Sequence, residues 1–169
     1  MSSRVVIKLG GGLITDKGSM KKFDPDSVER VADSISSIVG MGVPVVIVHG
    51  AGSFGHLLAK EWSISKGVDQ KIAEEQRIIV DEIRSDMREL NKLVIGKLSD
   101  SELESEGLPP SEWAIGTGSG FQGDITNFER VVEAPIPITF GDVVNTNDHL
   151  EFGILSGDDL MVRLSRELE

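Results

Sequence analysis

Arg4-Val5-Val6-Ile7-Lys8-Leu9-Gly10-Gly11-Gly12 decides the fold: a β-branched run, interrupted by one lysine, stops dead at three glycines. Beyond it, Asp24 is a good N-cap and Pro25 suits the first helical position. Val28, Val31, Ile35 and Ile38 or Val39 then recur at helical spacing, and Gly40 and Gly42 can end the helix. Val43-Pro44-Val45-Val46-Ile47-Val48 follows as a nearly all-apolar strand, the signature of a parallel sheet covered on both faces. Strand, helix and strand make one βαβ unit with a right-handed crossover.

The same alternation continues along the chain. A glycine-rich turn leads to a short helix over 57–62, and the longest helix is predicted over 68–98. Its stripe is Ile72, Ile79, Ile83, Met87, Leu90, Val94 and Leu98. Polar residues and Pro109-Pro110 make 99–111 a loop. Short strands are expected at 113–115 and 121–125, a helix from about Thr126, and a buried strand over 135–140. Asn145-Thr146-Asn147-Asp148 suits the turn of a hairpin, and a last helix starts near Gly157. Alternating strands and helices put the chain in the α/β class, with an open, mostly parallel sheet sandwiched by helices and 1–169 forming a single domain.

Composition narrows the function. A net charge of −11 over 169 residues argues against a nucleic-acid partner or an anionic lipid surface, because both demand basic patches. No apolar run approaches the roughly 20 residues that span a bilayer. Met1-Ser2-Ser3-Arg4 leads straight into a strand, so no signal peptide reads there. Cysteine is absent, which excludes disulfides and thiolate chemistry. A cytoplasmic location is the expectation.

Two buried strands end in glycine-rich turns, Gly10-Gly11-Gly12 and Gly50-Ala51-Gly52-Ser53-Phe54-Gly55. Ligands of open α/β sheets bind beyond the carboxyl ends of the strands. There, successive amides in a glycine turn cradle phosphate oxygens, although tight turns alone also use glycine. The second turn formally fits G-x-G-x-x-G. No acidic residue follows at a strand end about 20 positions on, and His56 follows the third glycine, so a dinucleotide site is the weaker reading.

Lys8 stands near the end of an apolar strand, where its ammonium either faces an anion or snorkels into solvent. Asp158, in Ser156-Gly157-Asp158-Asp159, is the natural carboxylate partner, and helix capping is the bland alternative for both aspartates. His56, directly after the second turn, is a candidate phosphate ligand. His49 marks the strand end and orients the loop. Lys17 follows the first glycine loop closely and either reaches the same anion or is an ordinary surface lysine. Three histidines and scattered carboxylates show no metal-ligand spacing.

Lys8-x-Gly10-Gly11 resembles the opening of the amino acid kinase family. Within that family, Gly10-Gly11-Gly12-Leu13-Ile14-Thr15-Asp16-Lys17 and His49-Gly50-Ala51-Gly52-Ser53-Phe54-Gly55-His56 look like the isopentenyl phosphate kinases. Gly141-Asp142-Val143-Val144 and Ile154-Leu155-Ser156-Gly157-Asp158-Asp159 match in order and approximate spacing, so the resemblance spans the chain. It implies an amino acid kinase-like fold and transfer of the γ-phosphoryl of ATP, with Mg²⁺, to isopentenyl phosphate in the alternative mevalonate route of isoprenoid biosynthesis.

Residue roles follow from the resemblance. Lys8 and the amides of Gly10, Gly11 and Gly12 would hold the transferring phosphoryl, while Ala51 and Gly52 line the junction of substrate and nucleotide phosphates. His56, beside Gly55, would bond the substrate phosphate, Gly157 would approach it, Asp158 would orient Lys8, and Lys17 would add charge near ATP. Ile79, Ile83 and Met87 either wall an isoprenoid tail or simply pack the core.

Gly12 departs from the family's usual serine and Ala51 from a common glycine. Family members are also longer, so the resemblance implies a substrate lobe without the C-terminal ATP lobe, with weak ATP binding and little turnover alone. It implies a homodimer, and the short chain reads as a fragment, as a truncated reading frame or as one half of a split enzyme whose partner is a separate C-terminal half. Two alternatives stand beside it: a kinase of another small phosphate or phosphonate such as fosfomycin, and a non-catalytic half-length protein that binds a metabolite or partner subunit.

Overall fold

A computed structural model describes residues 4–16 and 18–168. The chain begins with β1 (Val5–Leu9), a short turn of helix α1 (Gly11–Ile14), α2 (Pro25–Gly40), β2 (Val45–His49) and α3 (Gly52–Glu61). After a 3₁₀ turn at Ile64–Lys66 come α4 (Ala73–Ser99), β3 (Ser105–Gly107), α5 (Pro110–Trp113), β4 (Ala114–Ile115) and β5 (Gln122–Gly123). A second 3₁₀ turn, Thr126–Phe128, precedes β6 (Ile136–Phe140), β7 (Asp142–Asn145), β8 (Phe152–Leu155) and α6 (Gly157–Glu167).

Four strands form a wholly parallel sheet in the order β1-β2-β6-β3. Val45 and Ile47 of β2 pack into one apolar cluster with α2, α3 and α4. Val46 and Val48, on the opposite face, pack with Leu160 and Leu164 of α6. Burial on both faces is why β2 is apolar at successive positions. A second, mixed sheet runs β5-β4-β7-β8, and the chain crosses from one sheet to the other at Gly141, between β6 and β7.

Register brings the functional loops together. Leu9 lies opposite His49, and His49 opposite Phe140, so three parallel strands finish level. The residue after each strand is glycine: the Gly50 amide donates to Leu9 O at 2.9 Å, and the Gly141 amide donates to His49 O at 3.0 Å.

Helical turns α1 and α5 stand where a glycine turn and a loop running into a strand at 113 were expected, and four further elements depart from the sequence expectation, each for a local reason. The segment 99–111 is not all loop: Ser105–Gly107 pairs with β6 as a three-residue edge strand, too short and polar to carry a period. The expected helix near Thr126 is only a 3₁₀ turn. Its carbonyls are taken by arginines instead, with Arg4 donating to Phe128 O and Arg130 O and Arg130 donating to Asn127 O and Pro135 O. The long helix begins at Ala73 rather than near 68, because Gln76 accepts from the Asp69 amide at 2.7 Å and donates to Trp62 O at 3.0 Å, folding 68–72 over it. Finally, α3 starts inside the second glycine turn, at Gly52, and not at 57. No helix among the described residues is long and apolar enough to cross a membrane.

Candidate functional site

Lys8 is the penultimate residue of β1, and its side chain runs past the strand end to the first turn of α6, where its ammonium pairs with the Asp158 carboxylate. The two aspartates divide the work. Ser156 caps α6 by accepting from the Asp159 amide at 3.1 Å while its hydroxyl donates to the Asp159 carboxylate at 2.8 Å. Asp158 is thereby left to Lys8. Asp158 is 80% exposed and Lys8 34%, so water screens the pair and its worth to stability is small. Its effect is directional, holding a cation at the end of the sheet.

The second glycine turn has a defined backbone geometry. Ala51 is right-handed, with φ −82° and ψ −32°, and Gly52 follows with φ +50°. Successive right- and left-handed residues make a concave nest whose amides converge on an anion. Among the described residues the Ala51 amide has no backbone acceptor, and as the residue before α3 it sits at the positive end of the helix.

Gly11 presses against this nest. A Cβ on Gly11 would overlap the Gly52 backbone, and one on Gly52 would overlap Thr15 Oγ1 and fall 2.6 Å from Gly11 O. Buried Thr15 locks the two loops together, its hydroxyl donating to Gly11 O at 2.7 Å and accepting from the Ser53 amide at 3.0 Å. Glycine at 11 and 52 is therefore dictated by loop-on-loop packing as well as by access for a ligand.

Beside the nest lies a cavity of about 190 Å³. Lys8, Gly11, Gly50, Ala51, His56, Asp142, Gly157 and Asp158 line it together with the aliphatic Ala59, Ile83, Met87, Val143 and Ile154. His56 is exposed on the first turns of α3. Gly55 lies where the glycine turn meets an aliphatic wall: an added Cβ would lie 3.1 Å from both Ala51 Cβ and Met87 Sδ. A compartment lined by a cation, backbone amides and aliphatic side chains suits a small molecule with an anionic head and an apolar body.

Two buried titratable groups lie near the site, one behind the glycine turn and one in the cavity wall. His49 is fully buried, and desolvation pulls its pKa down to about 4, partly offset by its hydrogen bond to Gly50 O. Asp142 lines the cavity wall at the start of β7. Burial pushes its pKa up to about 6, against opposing pulls from its Val143 amide bond and from Arg84 and Arg88 on α4. Its Oδ1 accepts from the Val143 amide at 2.8 Å, while Oδ2 is buried without a partner among the described residues.

Of the residues singled out in the sequence, Lys8, Gly11, Ala51, Gly55, His56, Gly157 and Asp158 are gathered around this one cavity. Gly52 stands behind it in the nest. Gly10 precedes α1 with open space around its Cα, and Gly12 is exposed in a separate depression beside Asp16, Lys22 and Asp24. Lys17 lies outside the described residues. Ile83 and Met87 wall the cavity, whereas Ile79 packs against the core and does not line it.

Sequence reasoning missed Thr15, Asn91 and Asp142 as parts of the site. Asn91 and Asp142 carried one weak signal: a polar residue in an otherwise apolar stripe or strand. Among the described residues no group of three or more histidines and carboxylates could hold a metal ion.

Residues 3–169 match the amino acid kinase family. The isopentenyl phosphate kinase of Methanocaldococcus jannaschii is 27% identical over 177 residues, covering 97% of this chain and 65% of its own length. The isopentenyl phosphate kinase of Methanothermobacter thermautotrophicus is 31% identical over 169 residues, covering 97% of this chain and 63% of its own. The chain thus spans just under two thirds of the length of these relatives. An X-ray structure of isopentenyl phosphate kinase superposes with a TM-score of 0.85 at 29% identity, over 98% of this chain and 68% of that one. The T. acidophilum isopentenyl phosphate kinase product complex gives a TM-score of 0.79 at 27% identity, over 96% and 64%.

Proposed function

Because the chain belongs to the amino acid kinase family, we propose that it is the acceptor-binding part of an ATP-dependent kinase that converts isopentenyl phosphate to isopentenyl diphosphate. The observation that carries this reading is one cavity lined by Ala51 of the Ala51–Gly52 nest, by the Lys8–Asp158 pair and by the aliphatic Ile83, Met87 and Ile154. A phosphate monoester with a short hydrocarbon tail has that polarity. The similarity to isopentenyl phosphate kinases of two archaea supports the same choice of acceptor.

The chemistry asks little of the protein beyond position and charge. The attacking group is already a phosphate oxyanion, so no strong base is needed. Lys8, held by Asp158, neutralises charge that spreads over the transferring phosphoryl, and the nest amides supply fixed donors to the same oxygens. His56, exposed at the cavity mouth, donates to the acceptor phosphate. The aliphatic walls formed by Ile83, Met87 and Ile154 hold the tail, so that the phosphate is presented in one orientation.

ATP would supply the phosphoryl group, and a bound Mg²⁺ would shield its charge. The nest and Lys8 fit phosphate oxygens. Among the described residues no cluster of carboxylates offers the ion a site.

The test is a product assay. The chain is incubated with isopentenyl phosphate, ATP and Mg²⁺, alone and joined to the C-terminal remainder of an archaeal relative, and isopentenyl diphosphate is read by mass spectrometry. Product from the joined protein, abolished by Lys8→Met and strongly reduced by His56→Ala, is expected. Full activity in His56→Ala would overturn the role given to His56, and product from fosfomycin but none from isopentenyl phosphate would overturn this function.

A further inference from the structure

His49 is fully buried at the end of β2, directly behind the nest, and its ring stacks on Phe140 with centroids 4.9 Å apart and an interplanar angle of 21°. Each ring nitrogen has one partner. Nδ1 lies 2.9 Å from Gly50 O, and Nε2 lies 3.2 Å from Nδ2 of Asn91, which is buried on α4. A carbonyl oxygen only accepts, so Nδ1 carries the proton; an amide NH₂ only donates, so Nε2 is the acceptor. Both bonds together fix the neutral Nδ1–H tautomer. Burial, which draws the ring's pKa to about 4, keeps it there at neutral pH.

The consequence lies one peptide further on. A trans peptide plane points its C=O and its N–H in opposite directions. With Gly50 O held toward the His49 ring, the N–H of the same plane, that of Ala51, is turned away from the ring. That N–H is the first donor of the nest, it has no backbone acceptor among the described residues, and Ala51 lines the cavity. Gly107 completes the arrangement: a Cβ there would overlap Asn91 Oδ1, so the missing side chain on β3 makes room for the amide that fixes the ring.

We propose that His49, held by Asn91, is a positioning residue that locks the Gly50–Ala51 peptide so that the Ala51 amide faces a bound phosphate. The role rests on the phosphate-binding function argued above. It involves no proton transfer, because His49 keeps the same tautomer throughout.

The test uses ¹⁵N-labelled chain and two probes, isopentenyl phosphate and inorganic phosphate, with the parent and His49→Phe, which keeps the ring stack and loses both hydrogen bonds. In the parent, long-range ¹H–¹⁵N correlation should report a neutral ring protonated at Nδ1, and saturation with either probe should move the Ala51 amide downfield. His49→Phe, measured well below its melting temperature, should bind isopentenyl phosphate about tenfold or more weakly and lose the Ala51 shift, because one oriented hydrogen bond to an anion is worth roughly that factor. A role confined to stability would lower the melting temperature and leave both the dissociation constant and the Ala51 shift of the folded variant unchanged, and that result overturns the proposal. Should the variant not fold, the parent decides: an Nε2–H tautomer, or an Ala51 amide that stays put at saturation, overturns it equally. If inorganic phosphate moves Ala51 but isopentenyl phosphate does not bind, the acceptor assignment fails and the positioning role stands. If neither anion binds, both fail.

Discussion

Replacing Asp142 with asparagine should stabilise the fold at neutral pH and leave it nearly unchanged in acid. Burial raises the folded pKa of Asp142 to about 6 from its ordinary 3.8. A group whose folded pKa is raised favours the fold fully below its unfolded pKa and loses that contribution as the pH climbs through the folded pKa. The window is therefore about pH 4 to 6. At about 1.4 kcal/mol per pH unit, the ionised carboxylate costs the fold roughly 3 kcal/mol once titration is complete.

Asparagine has the same outline and no charge, so the stability gained by the variant should rise from near zero at pH 4 to about 3 kcal/mol at pH 7. His49 runs the other way. Its folded pKa of about 4 lies below the ordinary 6.5, so its contribution is intact above pH 6.5 and is lost on acidification toward 4. In the parent the two slopes oppose each other; in the difference between parent and Asp142→Asn the His49 contribution cancels. Urea unfolding of both proteins at half-unit steps from pH 4 to 8 gives that difference directly. A gap that stays flat, or one that widens toward acid, would refute the reasoning.

The loops and the ion pair give two contrasting expectations. Gly52→Ala places a side chain at φ +50° and against Thr15 and Gly11 O, so it should destabilise the chain by about 2 kcal/mol or more and broaden the α3 amide signals in NMR spectra. Asp158→Asn should leave the urea midpoint almost unmoved, since the pair is largely solvated, yet weaken phosphate binding measured by calorimetry, because Lys8 loses its tether.

Much of this fold was legible because burial leaves a mark on sequence. The β-branched run ending at Leu9 read as a strand, the apolar 45–48 stretch as a strand covered on both sides, and Asp24-Pro25 announced α2. The Lys8–Asp158 pairing followed from one awkward lysine needing an anion at the same sheet edge. What could not be read were features fixed by distant partners. Ser105–Gly107 is a strand only because β6 offers an edge, and the 126–130 segment fails to become a helix because Arg4, over 120 positions away, takes its carbonyls. The site divides in the same way. Glycines and charged residues advertise themselves, whereas Thr15, Asn91 and Asp142 matter only through contacts across 4 to 42 positions or through the burial that surrounds them. Gly11 adds a subtler lesson, since loop packing demands glycine there whether or not a ligand comes.

The most direct test of the central claim is calorimetric titration of this chain with isopentenyl phosphate and with uncharged isopentenol, in the parent and in Lys8→Met. A phosphate head held by Lys8 and the Ala51–Gly52 nest predicts that the parent binds the phosphate at least about tenfold more tightly than the alcohol, and that Lys8→Met loses most of that preference. Equal affinity of the parent for both compounds, or an undiminished preference in Lys8→Met, would contradict it.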